Sequence, residues 1–244
     1  MPIDGVIFDL GSTLIHRTGL ALEQEKCGVL AHFAAAEWGC RDPGALAAQL
    51  LAIRLDAWRR SEEELMERLA TDSIARAFAQ AGLPVDEATL RRAEAVFFEP
   101  EVRVSRLYPA AIETLERLRA MGLRIGMISN ATSHGLIVEI TARHCIDAYF
   151  NPLVSSAGHG KVKPHPDIFT HVLDTWAVPA QHAVMVGDTM AADIAGAHAV
   201  GMRSILVDIE PTPANAAFTG PAPTARVENL QEIPPLIERW VGGA

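Results

Sequence analysis

Five residues of this chain have the right types to do chemistry together, although they lie far apart in sequence: Asp9, Ser129, Lys163, Asp188 and Asp193. Asp9 closes the apolar run Val6 Ile7 Phe8, and Gly11, Ser12 and Thr13 follow in the next turn. Ser129 and Asn130 close a second run, Lys163 Pro164 lies in a later connection, and Gly187 Asp188, with Asp193 behind it, closes another. Each has an ordinary explanation by itself. Aspartate after a strand is a common turn former or helix cap, serine makes local turns, and lysine is usually solvated. Independent turn chemistry gives no reason for all five to sit at strand ends in a consistent order. In open α/β sheets that edge is the ligand-binding edge. Three carboxylates brought together there repel one another and need cations. Lys163 supplies one positive charge, and a divalent metal is the expected second.

Positioning these residues requires a sheet. After Tyr108 Pro109 the sequence alternates helical and strand patterns: helix 110–121, strand 124–129, a helix, a strand near 149–155, helix 167–176, strand 183–187, helix 191–200 and strand 204–208. Short apolar strands alternating with amphipathic helices predict a parallel sheet covered on both faces. From about residue 21 to 99 the pattern is helical throughout. Asp42 Pro43 offers an N-cap followed by proline, Ser61 with Glu64 reads as a capping box starting another helix, Asp86 caps a helix over 87–98, and Gly82 Leu83 Pro84 stops the helix before it. The segment 210–225, with Pro211, Pro213, Pro221 and Pro223, reads as an irregular loop before a last helix near 230–240. The expected architecture is a Rossmann-like, three-layer α/β/α core over residues 1–15 and 106–244. An all-helical domain, residues 16–105, is inserted into it.

Composition narrows the functional classes. With 244 residues the chain is long for one ordinary domain and short for two, in keeping with one core and a large insertion. A formal net charge of −9 gives no electrostatic footprint for nucleic acid. Hydrophobic content of 49% is too high for disorder, and no apolar run approaches a membrane span. Cys27, Cys40 and Cys145 form no paired spacing, and the start of the chain lacks a signal-peptide pattern, so a cytoplasmic protein with reduced thiols is expected.

The strand-end residues carry a resemblance. Val6 to Leu14, Gly126 to Asn130, Gly160 to Phe169 and Val186 to Asp193 resemble, in order, the four motifs of the haloacid dehalogenase-like (HAD) hydrolase superfamily. The subfamily it resembles carries a helical cap between the first two motifs. The resemblance implies that Asp9 attacks phosphorus to give an aspartyl-phosphate, that Ser129 and Asn130 contact the phosphoryl group, and that Lys163 neutralises Asp9 and the transferring group. It further implies Mg2+ held by Asp9, Asp188 and the Gly11 backbone carbonyl, with Asp193 in support. A phosphoryl group in transfer carries spread negative charge, which such a cationic site stabilises. The implied partner is a small phosphorylated metabolite.

One position departs from the phosphatase pattern. The residue two after the nucleophile is usually a second aspartate that protonates the leaving oxygen and then activates water, whereas here it is Gly11. Losing such acid–base help costs typically about 10²- to 10⁴-fold. The alternatives are a phosphatase using another acid, with His16 or a cap residue as candidates; a haloacid dehalogenase-type or phosphonatase-type hydrolase; and a weak or inactive protein that binds a phosphorylated ligand. Retention of Gly187 Asp188 and Asp193 favours phosphorus chemistry. His16 and Arg17 follow the first motif closely enough to face the cleft, and His134 follows Ser129. Arg41, Arg54, Arg59, Arg60 and Arg68 read as solvated helix faces, and Phe97 and Phe98 as packing residues. No histidine spacing suggests a metal site.

Overall fold

A computed structural model of the chain describes residues 2–16 and 18–241; Arg17 lies outside the described residues. The chain divides into two compact units, Met1–Arg17 with Arg106–Ala244, and Thr18–Ser105. The first division falls two residues beyond the expected boundary. Ile15 pairs with both Gly11 and Leu107, and the His16 backbone N–H bonds the Arg106 carbonyl at 2.9 Å, which ties this stretch to the α/β unit.

In the α/β unit the order is β1 (Gly5–Phe8), then, after the helical insertion with its helices α1 to α4, α5 (Ala111–Ala120), β2 (Arg124–Ser129), α6 (His134–Arg143), β3 (Leu153–Ser155), α7 (Ser156–His159), α8 (Pro166–Trp176), β4 (Ala183–Gly187), α9 (Ala195–Val200), β5 (Arg203–Val207), α10 (Pro213–Ala216), β6 (Ala225–Val227) and α11 (Ile233–Val241). All strand pairs are parallel and the spatial order is β3-β2-β1-β4-β5-β6. The chain winds outward from β1 in one direction, then returns to β4 and winds outward in the other. This reversal makes the carboxyl ends of β1 and β4 the topological switch point, where the crevice of such sheets opens. Every residue of β1 and β4 is buried, as strands covered on both faces must be. One face packs Ile7, Ile128, Val154 and Met185 against Ile168, Phe169, Val172 and Trp176 of α8. Gly196 lets α9 approach this layer: a Cβ there would come within 2.3 Å of the Phe169 ring.

The helical unit consists of α1 (Leu20–Trp38), α2 (Pro43–Glu64), α3 (Ala70–Gln80) and α4 (Glu87–Val104). Helix α1 packs on α2 and α4, and α3 packs on the same two. Leu30, Ala31, Leu50, Ile74, Phe78 and Phe97 fill the centre. Asp42 and Asp86 cap α2 and α4 through the backbone N–H groups of Ala45 and Thr89.

Four expectations need correction. Ser61 does not start a helix: α2 continues through it to Glu64 and stops where Leu65 adopts a left-handed conformation, φ 52°. Ser61 is buried, and the solvent-side Arg59–Glu63 and Arg60–Glu64 pairs support the last turns. Arg54 is not on a solvated face but 1% exposed, because Glu23 meets it inside the bundle. The helix expected from residue 191 begins with a π-helical turn, Met190–Ile194. The proline-rich loop carries the short helix α10 and leads into a sixth strand.

Candidate active site

The switch point brings Asp9, Lys163, Asp188 and Asp193 together. Asp9 directly follows β1, where its backbone N–H bonds the Val186 carbonyl of β4 at 2.9 Å, so its carboxylate starts at the centre of the sheet edge. The Lys163 ammonium uses its three donors on Asp9 Oδ1 at 2.7 Å, Asp193 Oδ1 at 2.7 Å and the Ile128 carbonyl of β2 at 2.8 Å. Its side chain is 2% exposed. Burial alone disfavours the ammonium, but Asp193 and Asp9 more than offset this and hold its pKa above the ordinary lysine value. Lys163 is therefore a fixed positive charge.

The carboxylates outnumber it. Asp9, Asp188 and Asp193 each place a carboxylate oxygen within 4.8 Å of the others. Asp193 is committed within the protein, with Oδ1 on Lys163 and Oδ2 accepting the Thr189 backbone N–H at 3.0 Å. Asp188 Oδ1 accepts from the Thr189 hydroxyl at 3.1 Å. Burial pushes Asp9 up to about 6, against the attraction of Lys163 and with further repulsion from Asp193. Burial, Asp9 and Asp193 together push Asp188 up to about 7. Two carboxyls raised into the neutral range mark a shortage of positive charge. A hard divalent ion with oxygen ligands suits that donor set, with Asp9 and Asp188 the carboxylates less committed to the protein scaffold.

Local sequence accounts for the close approach. At Gly187 any Cβ would fall 2.3 Å from Asp193 Cγ, so the Gly–Asp sequence at the end of β4 is what lets Asp193 tuck under the strand end. The π-helical turn carries Asp193 inward, and Asp193 N–H returns to the Thr189 carbonyl at 2.8 Å. Ser129 ends β2 beside the cluster and is 5% exposed.

Asn130 turns elsewhere than expected. Its Nδ2 donates to the Lys163 carbonyl at 3.0 Å and its Oδ1 accepts the Lys163 N–H at 2.8 Å, so the side-chain amide clamps the lysine loop. A second asparagine does the same for the aspartate loop. Asn215 Nδ2 donates to the Asp188 carbonyl at 2.6 Å, while its Oδ1 accepts the Met190 N–H at 2.9 Å. Sequence reading missed Asn215 because it stands in a proline-rich loop with no pattern of its own. The usable signal was Thr212 Pro213, a cap and first-turn pair that starts α10. His134 stays out of the cluster, with Nδ1 2.9 Å from the Ser155 hydroxyl. Gly11 is exposed, and a Cβ built on it would meet no atom within 4 Å.

Comparison with known proteins agrees with this geometry. A glyceraldehyde 3-phosphate phosphatase of Pyrococcus abyssi is 40% identical over 137 residues, which cover 56% of this chain and 57% of that protein. The chain thus spans little more than half the length of the curated relatives it matches. A 2-haloacid dehalogenase from Pseudomonas syringae pv. Tomato DC3000 superposes with a TM-score of 0.71 at 26% identity, covering 98% of this chain and 99% of its own. A HAD phosphatase from Thermococcus onnurineus shares the fold, with a TM-score of 0.65 at 21% identity over 99% of this chain and 98% of that one. The family model for haloacid dehalogenase-like hydrolases matches residues 3–201, spanning the helical insertion and Asp9, Lys163, Asp188 and Asp193, and this chain belongs to that family of enzymes.

Proposed function

We propose that the protein is a Mg2+-dependent phosphatase for a small phosphorylated metabolite, working through an aspartyl-phosphate on Asp9. The observation that carries this reading is the imbalance at the switch point, three carboxylates against one buried ammonium. Asp9, Asp188 and the Gly11 carbonyl would hold the metal, and Asp193 would support it through Lys163 and the Thr189 backbone. Bound there, the ion would supply positive charge for a phosphoryl group. Asp9, with Lys163 holding one of its oxygens, presents the carboxylate that attacks phosphorus. The phosphorus–ester bond breaks, and water then opens the acyl phosphate to release inorganic phosphate. Lys163 offsets the charge on the transferring oxygens, and Ser129 donates a hydrogen bond to one of them. Asn130 and Asn215 hold the two loops in place, so little reorganisation is needed.

In this reading residues 1–17 and 106–244 form the catalytic core, and the helical domain, residues 18–105, is the cap that excludes bulk water and selects the substrate. No helix among the described residues is long and apolar enough to cross a membrane. That property and the three free cysteines fit a cytoplasmic enzyme. The named phosphatase relatives support a phosphate ester as substrate. A second reading, carbon–halogen cleavage by Asp9, is favoured by Gly11 and by the dehalogenase neighbour. The metal-type carboxylate set speaks against it.

The test is turnover on a panel of phosphate esters and haloacids with and without Mg2+, comparing wild type with Asp9→Asn. Mg2+-dependent phosphate release lost in the variant is the expected result. Metal-independent halide release would replace the reading with dehalogenation, and tight binding of a phosphorylated ligand without turnover would replace it with a binding role.

A further inference from the structure

Gly11 leaves the position two residues beyond Asp9 without a side chain, and the space beside it is open. The loop that carries Gly11 turns back on itself, and Ile15 pairs with Gly11 on one side and with Leu107 on the other. The next residue, His16, is therefore one step from the chain that flanks the vacant position. Its backbone is fixed by the bond to the Arg106 carbonyl, and the Tyr108 N–H closes the neighbouring link to the Leu14 carbonyl at 2.9 Å.

The imidazole is held as well. Its ring lies on the Tyr108 ring, centroids 4.1 Å apart, and its Nδ1 is 3.4 Å from Glu210 Oε1. The same Glu210 oxygen accepts the Tyr108 hydroxyl at 2.6 Å. Glu210 comes from the segment just beyond β5, at the carboxyl edge of the sheet, and Tyr108 is buried at 3% exposure. The His16 side chain stays 49% exposed. Among the described residues, Glu210 and Tyr108 are titratable groups that face it. A carboxylate at Nδ1 directs a proton to that nitrogen and leaves Nε2 to exchange protons, the arrangement of an oriented acid–base imidazole.

Resting on the phosphatase reading above, we propose that His16, oriented by Glu210 and Tyr108, is the general acid and base that replaces the side chain missing at Gly11. As an Asp9 oxygen bonds phosphorus, the phosphorus–ester bond breaks and its electron pair stays on the leaving oxygen, which takes a proton from His16 Nε2. Neutral His16 then accepts a proton from water as the water oxygen attacks phosphorus. The bond to Asp9 breaks, phosphate leaves, and both side chains return to their starting states.

The test compares an alkyl phosphate, whose leaving oxygen needs a proton, with nitrophenyl phosphate, whose leaving group departs as an anion. His16→Gln is expected to slow the alkyl ester by about 10²- to 10⁴-fold and the nitrophenyl ester far less. Adding Gly11→Asp to that variant, at a site with room for the new side chain, is expected to recover much of the alkyl turnover. Equal losses on both esters, or no loss on either, would overturn the proposal; equal losses without recovery in the double variant would mark His16 as a structural residue. Wild-type enzyme that releases no phosphate from either ester, unaltered by Asp9→Asn, would instead overturn the phosphatase reading and this inference with it.

Discussion

Among the described residues the protein buries two clusters of charge, one in each unit, and they are built to opposite rules. In the helical unit Lys26 Nζ lies 2.7 Å from both Glu23 and Glu101, and Arg54 Nε lies 2.8 Å from Glu23. Two cations meet two anions, and the cations also rest on aromatic faces, Lys26 at 4.7 Å from the Phe97 and Phe98 rings and Arg54 at 5.3 Å from Trp58. At the sheet edge one lysine faces three aspartates, and two of these are pushed up to about 6 and about 7. The first cluster is closed on itself and asks for nothing from solution. The second is deficient by charge and needs a cation. Burial of ions is thus no sign of chemistry here; the sign is the unbalanced sum.

The largest expected effect separates the clusters by chemistry. Asp9→Asn keeps the shape of the site and removes the carboxylate proposed to attack phosphorus, so phosphate release should fall by at least about 10⁴-fold, the scale seen when a nucleophile is lost. Steady-state turnover of the folded variant checks it. Next, Lys163→Met strands its carboxylates and should cost about 3–5 kcal/mol at neutral pH, with stability recovered on acidification. Lys26→Met leaves Glu23 its Arg54 partner and lets Glu101 turn outward, so about 1–3 kcal/mol is expected. Urea melts at two pH values measure both, and equal costs would erase the contrast.

The third prediction concerns pH in metal-free protein. Asp9 and Asp188 have folded values raised from 3.8 to about 6 and about 7. The folded state therefore binds more protons than the unfolded chain between those limits, and stability must fall as pH rises through them. Their favourable contribution is complete below about pH 4 and gone above about pH 7. Melting temperature should drop between pH 5 and pH 8, by about 2–4 °C for each kcal/mol lost. Millimolar Mg2+ should restore more at pH 8 than at pH 5, and Lys26→Met should leave that Mg2+ response unchanged. A metal-free melting temperature that climbs over this range would contradict the reading of an uncompensated cluster. The smallest effect is expected from Asn215→Ala, which frees the Asp188 loop and should weaken Mg2+ binding by about 10- to 100-fold. Calorimetric titration with Mg2+ reads this directly, and an unchanged affinity would show that the strap is dispensable.

How much of this could be read beforehand depended on range. Asp9 and Asp188 were legible because each directly follows a short apolar strand, and strand ends in a parallel sheet share one edge; Lys163, beyond α7, and Asp193, inside the π-helical turn, reach that edge from the connections that follow. The helical insertion was legible because its caps are local signals, as at Asp42 and Asp86. Arg54 was not legible: its helix is mostly solvated, and only the arrival of Glu23 from α1 makes its burial tolerable. Ser61 misled for the opposite reason, since a capping pattern says nothing when the helix already runs through it. By sequence Asn130 resembles a phosphoryl contact, whereas its amide bonds the Lys163 backbone, a partner 33 residues away that no local pattern reveals. Asn215 hid in the same way.

The strand order also bears on how the protein is made. β1 leaves the ribosome before both of its neighbours, β2 and β4, which are synthesised more than a hundred residues later. At about 5–20 residues per second the apolar segment Val6 Ile7 Phe8 waits on the order of ten seconds before either flank exists. During that interval residues 18–105 can already bury their own centre, while β1 presents two unpaired edges, a hazard for pairing with another nascent chain. A long-range topology of this kind folds late and slowly. Asp4, just before β1, and the short four-residue length of the strand are features that limit such pairing.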